Sequence, residues 1–197
     1  MNTRYSTLLG TAAGILAASL SACHSAPTRL YTLYAVAPPS ARAAYSGPAV
    51  RVDSVHVPPA LDRIEVISNV TPGELKISDL DHWSAPLGQT ARQALSADMV
   101  ARLPPGRVIF PHLAKPEGAL GISVDVLDFK SDRNGTYLEA SWLVSPAGSG
   151  TPSGIASASL RTDLPSPDAA ATARALSVLL GQLADRIVAG LHADLPE

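Results

Sequence analysis

The chain has 197 residues, with 15 lysines and arginines against 17 aspartates and glutamates, a net charge of −2 at pH 7, and 46% hydrophobic residues. That length suits one folded domain with a sizeable core, and the near-neutral balance excludes the concentrated basic face that nucleic acid requires. A single cysteine excludes an intramolecular disulfide and a cysteine-rich metal site.

Arg4 and the amino terminus are positive, Leu8 to Leu20 carries no charge, and small residues follow, which is the pattern of a secretory signal. Thirteen residues span only about 20 Å as a helix, short of a hydrocarbon core of ~30 Å. Leu20-Ser21-Ala22-Cys23 has the form of a bacterial lipobox, in which the cysteine becomes the first residue of the mature chain. Its thiol is soft enough to take a diacylglyceryl thioether, and the freed amine is then acylated. Two or more acyl chains anchor stably where one is marginal. The competing reading is a stray cysteine in an ordinary signal peptide, but the hydrophobic run, the lipobox and their positions coincide. The expectation is therefore a cleaved lipoprotein signal over 1–22, a lipidated tether over 23–29 and a single periplasmic α+β domain over 30–197. No cofactor is expected beyond the covalent diacylglycerol and N-acyl chain on Cys23. Among bacterial lipoproteins an aspartate after the cysteine commonly retains the protein in the inner membrane. Resemblance to them implies, with His24 and Ser25 in place here, an outer-membrane anchor on the periplasmic face.

The mature chain opens with L-Y-T-L-Y-A-V (30–36), aromatic and branched like a strand, and continues through a Pro- and Ala-rich connection over 37–48. In 49–58, Val50 and Val52 share one face while Val55 and Val57 fall on the other phase, which predicts a bulge or bend near Asp53-Ser54. Residues 63–68 and 74–77 read as two further strands. From Ser84 to Leu103 the period becomes helical through Leu87, Ala91, Ala94, Leu95 and Asp98-Met99, with Arg92, Gln93 and Arg102 off the stripe. Ser84 is the predicted N-cap. R-V-I-F-P (107–111) reads as a short buried strand. Residues 120–130 alternate through Ile122, Val124 and Val126 and slip phase at Leu127 and Phe129. Asn134-Gly135 signals a hairpin back into 136–145, and 155–162 is a weaker strand. Ser166-Pro167-Asp168 opens a helix of about 25 residues striped by Leu176, Leu179, Leu180, Leu183, Ile187 and Leu191, with Asp185 on its wet side. This order predicts a two-layer α+β domain, an antiparallel sheet with both helices packed on one face.

The search for catalysis is negative: no G-x-S-x-G elbow, no H-E-x-x-H and no phosphate loop is present. The chain is expected not to be an enzyme. The unusual segment is V-P-P-A-L-D-R (57–63) with D-L-D-H-W-S-A-P-L (79–87). In one reading Trp83 staples the start of the helix and Asp62 pairs with Arg63. In the other, Leu61, Asp62, Arg63, Trp83 and Leu87 form a partner-binding corner, since Trp and Arg concentrate binding energy at interfaces.

At these residues the chain resembles the PqiC (paraquat-inducible) family of auxiliary lipoproteins of ABC-type and MCE-type transport systems. The resemblance rests on L-S-A-C, Y-T-L-Y, V-R-V-D-S-V-H-V-P-P-A-L-D-R, and H-W-S-A-P-L followed by a helix ending A-R-L-P. It implies a non-enzymatic lipoprotein on the outer membrane that works with an MCE-domain membrane protein to move lipids across the envelope, with a second copy of the chain as a further possible partner. The alternative is an envelope-structural or outer-membrane-assembly lipoprotein unrelated to MCE transport.

Overall fold

The computed structural model describes residues 26–40, 44–71, 74–132, 135–146, 154–163, 166 and 168–193. Cys23 and the signal region lie outside the described residues. In chain order the elements are β1 (Arg29–Tyr31), β2 (Val50–His56), β3 (Glu65–Thr71), β4 (Glu74–Trp83), α1 (Leu87–Arg102), β5 (Leu120–Asp132), β6 (Gly135–Pro146), β7 (Ala156–Thr162) and α2 (Ala169–Ala193).

Alternation builds the main sheet, in the order β2-β5-β6-β7. Val50, Val52, Ile122, Val124, Leu138, Ala140 and Trp142 turn inward, while Asp125, Leu127 and Glu139 face solvent. Both predicted phase slips are β-bulges. The register of β2 on β5 shifts between Val52 and Ser54, and that of β5 on β6 between Val126 and Asp128. The second bulge leaves Leu127 opposite no residue and 60% exposed, while Phe129 returns to the core.

The α+β class is as expected, but the sheet is neither single nor wholly antiparallel. β1, β4 and β3 form a separate three-stranded sheet in that order. β1 pairs with β4 in parallel, and β2 pairs with β5 in parallel. The cause of the second parallel pair is the crossover: the chain leaves β2, forms β3, β4 and α1, and returns to run beside β2 in the same direction. The predicted strand at 107–111 reduces to a single bridge, Val50 with Val108, extending the β2 edge.

Both helices contact each other and the same face of the main sheet, α1 against β2 and α2 against β6 and β7. All six leucine and isoleucine positions of the α2 stripe are buried. On the other side of β2, the bulge residue Asp53 accepts hydrogen bonds from Arg51 Nε at 2.6 Å and Lys115 Nζ at 2.8 Å. This cluster sits over Gly121 of β5, where a Cβ would meet the Asp53 carboxylate and Lys115 Nζ, so a side chain there would displace the ion pair.

Only Leu30 and Tyr31 of the predicted 30–36 strand join a sheet, because the remainder is diverted across the helices. Leu33 is buried, Tyr34 N–H donates to Ser177 Oγ of α2 at 3.3 Å, and Val36 N–H donates to Asp98 Oδ1 of α1 at 2.9 Å. Gly181 of α2 permits this close approach, since a Cβ there would meet Val36 Cβ at 3.3 Å and Arg102 Nη2 at 3.2 Å. Residues 32–36 thus form a strap over the seam between α1 and α2.

Candidate functional site

Leu61, Trp83 and Leu87 of the predicted corner come together around one gap, with Asp62 at the start of α1 and Arg63 on the surface beside them. Pro58 O accepts from Leu61 N at 2.8 Å and Asp62 N at 3.0 Å, closing a turn that carries Asp62 to the start of α1. There Asp62 Oδ1 accepts from Gly88 N at 2.8 Å. Pro86 holds the N-cap position without a side-chain cap, and the first turn of α1 has no acidic residue, so Asp62 supplies both the missing acceptor and the favourable negative charge. Ser84 therefore does not cap the helix. Asp62→Ala is expected to cost about 1–2 kcal/mol in chemical denaturation, with Asp62→Asn recovering most of it.

Arg63 does not pair with Asp62. Its Nε and Nη2 donate to Glu65 at 3.1 and 3.3 Å on the surface, where Arg63 holds the Glu65 carboxyl below the usual carboxylate range. Trp83 and Leu87 are buried, at 2% and 3% exposure. Together with Leu61, Ile67, Phe129 and Ser131 they surround a gap of about 10 Å³, too small for a ligand. Of the corner, Asp62 and Arg63 face solvent while the two apolar anchors face inward, with Leu61 half-buried between them.

Two features escaped the sequence reading. Arg102, placed off the apolar stripe of α1, is 4% exposed and lies at the centre of a buried ionic clasp. Its Nε donates to Asp185 Oδ1 at 2.6 Å, and its Nη1 donates to Asp98 Oδ1 at 3.0 Å and to the carbonyl of Val36 at 3.1 Å. The i,i+4 spacing of Asp98 and Arg102 is the one sequence signal that could have found it. The second feature is an open cavity of about 470 Å³ where β1 and β4 meet the start of α2. Arg29, Lys76, Ser78, Asp81 and Asp168 line it, with neither histidine nor cysteine in the lining. Burial pushes the Asp81 carboxyl up, but hydrogen bonds from Ser78, Arg29 and Tyr31 outweigh it and hold it below its ordinary value. Asp168 is held low chiefly by the Ala171 N–H, which donates to Oδ1 at 2.7 Å and makes Asp168 the cap of α2. Both carboxylates accept hydrogen bonds that tie β1, β4 and the start of α2 together, Asp81 from Arg29 and Ser78 and Asp168 from the Ala171 N–H. Among the described residues no cluster of three histidine, cysteine, aspartate or glutamate side chains could hold a metal ion.

Over residues 31–188 the chain matches the family described as the ABC-type transport auxiliary lipoprotein component. The chain belongs to that family. Two solved structures have the same fold. An uncharacterized protein superposes with a TM-score of 0.68 at 17% identity, covering 84% of this chain and 99% of that one. Protein XCC0632 from Xanthomonas campestris superposes with a TM-score of 0.61 at 17% identity, covering 82% of this chain and 92% of that one. No curated protein matches the chain. The region shared with the auxiliary lipoprotein components begins at Tyr31, so it includes the strap, the clasp and the corner, and Cys23 lies upstream of it. Membership is consistent with membrane anchoring, and among the described residues no helix is long and apolar enough to cross a membrane.

Proposed function

We propose that this auxiliary lipoprotein component is a PqiC-type subunit, anchored in the outer membrane through acylated Cys23. In this reading it is a non-enzymatic dock for an MCE-domain partner in an ABC/MCE-type system that moves lipids between the envelope membranes. The observation that carries the reading is the family match over 31–188. Lipid transfer through water exposes acyl chains at ~0.8 kcal/mol per CH₂, so a protein route between two membranes needs a fixed docking point on the far one. A domain tied to that membrane by acyl chains supplies one. The strap is in keeping with that reading, because load applied at Cys23 that overcomes the edge strand β1 would next meet residues 32–36, which are bonded to both helices.

The test is isolation of the tagged full-length chain from its own cell envelope in mild detergent. An MCE-domain protein and its ABC-type transporter are expected to co-purify, and Cys23→Ser is expected to move the chain out of the outer-membrane fraction. Arg63→Glu tests the exposed part of the corner without disturbing the buried Trp83. Isolation of the chain alone, or with envelope-assembly proteins only, overturns the proposal.

A further inference from the structure

The three-stranded sheet has two unlike faces. Arg29, Tyr31, Lys76, Ser78 and Asp81 line the polar cavity against α2. Successive strand residues point to opposite faces, and the register of β3 on β4 shifts between Ile67–Ile77 and Glu65–His82, which reverses the phase of β4 between Ser78 and Asp81. Leu75 and Ile77 before the shift, Leu80 after it and Leu30 opposite His82 therefore lie on the other face. Their exposures are 68%, 44%, 46% and 37%. Ile77 lies directly opposite Ile67, so the apolar surface is continuous with the buried end of the core. Scattered exposed leucines need no explanation, but four aliphatic side chains on one face of one small sheet do.

The direction of the tether indicates what covers this face. β1 runs parallel to β4, with Arg29 opposite Asp81 and Tyr31 opposite Trp83. Traced backward from Arg29, the chain therefore heads along β4 toward Ile77, Leu75 and the β3–β4 hairpin end. Cys23 is six residues upstream of Arg29, within about 20 Å even when fully extended. The end of the sheet that carries Leu75 and Ile77 is thus the end toward which β1 points when followed back in the direction of Cys23.

We infer that the face formed by Leu30, Leu75, Ile77 and Leu80 is a membrane-contacting surface that seats in the headgroup–acyl boundary of a phospholipid bilayer and orients the domain on it. The inference rests on the reading of Cys23 as the lipid anchor. A six-residue tether alone would let the domain tumble, whereas a second, weak apolar contact fixes which surface points away from the membrane.

The acylated full-length chain is placed on vesicles of phosphatidylethanolamine and phosphatidylglycerol, with an environment-sensitive fluorophore at Ile77→Cys or, as control, at Leu113→Cys. With Cys23 acylated, the introduced thiol is the only one. Leu113 is 59% exposed and accepts from Arg51 near the start of β5, whereas Ile67 and Phe129 flank the gap near its other end. Nitroxide-labelled lipids are expected to quench the probe at 77 about threefold more than at 113, and aqueous iodide the reverse, for a surface seated some 5–10 Å into the interface. Equal iodide access at both positions, on protein that still floats with the vesicles, overturns the inference and leaves the anchor standing. Protection at 77 that appears only when the co-purified transporter is added overturns it in favour of a protein partner. Chain that lacks acyl mass and does not float overturns the inference and the anchor together.

Discussion

Replacing Arg102 with alanine is expected to lower the unfolding free energy by about 3–5 kcal/mol in urea denaturation, the largest loss from any polar substitution in this chain. Asp98 is fully buried and Arg102 nearly so. One guanidinium serves Asp98, Asp185 and the Val36 carbonyl at once, so its removal leaves a buried carboxylate uncompensated and releases the strap. Arg102→Lys is expected to recover only part of the loss, because an ammonium cannot present the planar fork that reaches three acceptors in different directions.

The same clasp makes stability depend on pH. Burial pushes the Asp98 carboxyl up to about 6, against the opposing effects of the Val36 N–H and Arg102. Its Oδ2 has no hydrogen-bond partner among the described residues, which is consistent with a carboxylate that is costly to ionise. Because the folded value lies above the unfolded one, the native state holds a proton that the unfolded chain has released between about pH 4 and pH 6. Stability is therefore expected to fall by about 1–3 kcal/mol as pH rises through that window, and Asp98→Asn to flatten the slope. Asp53 acts in the opposite sense: burial alone would raise it, but Lys115 and Arg51 hold it low, so its stabilisation is lost as pH falls below the ordinary carboxylate range.

Trp83→Ala is expected to cost about 3–5 kcal/mol. The Trp83 side chain closes the gap between β3, β5 and α1, while its backbone N–H, which alanine would keep, donates to the carbonyl of Ile64 at 2.6 Å. It also ends the strand that pairs with β1, so the three-stranded sheet depends on it for its attachment to the core. Trp83→Phe should keep most of the stability, whereas Arg63→Ala, at an exposed pair, should leave the denaturation midpoint unchanged. Loss of partner binding in Trp83→Ala is expected to follow the folded fraction measured in the same sample.

Local patterns carried much of the fold. The shift of phase from Val52 to Val55 located one bulge, the slip at Leu127 and Phe129 located the other, and the leucine stripe from Leu176 to Leu191 marked both the length and the buried face of α2. What sequence could not carry were pairings between distant segments. Residues 30–36 have the composition of a strand, yet only their start finds a sheet, because the helix seam offers Leu33 burial and Val36 hydrogen bonds. The parallel pairs follow from the path of the crossover, which no short window contains. Asp62 caps a helix 26 residues away, and its neighbour Arg63 offered a nearer partner on paper. Arg102 falls off the apolar stripe of α1, where a charge at a helix end is ordinarily wet, and its burial depends on Val36 and Asp185 arriving from elsewhere in the chain. The polar cavity is likewise assembled from residues as far apart as Arg29 and Thr172.

Cys23 as the lipid anchor of a domain that docks a transporter is tested most directly by the intact mass of the chain recovered from its own cell envelope. The predicted species begins at Cys23 and carries a diacylglyceryl thioether and an N-acyl chain. A chain that retains residues 1–22 with an unmodified thiol contradicts the account.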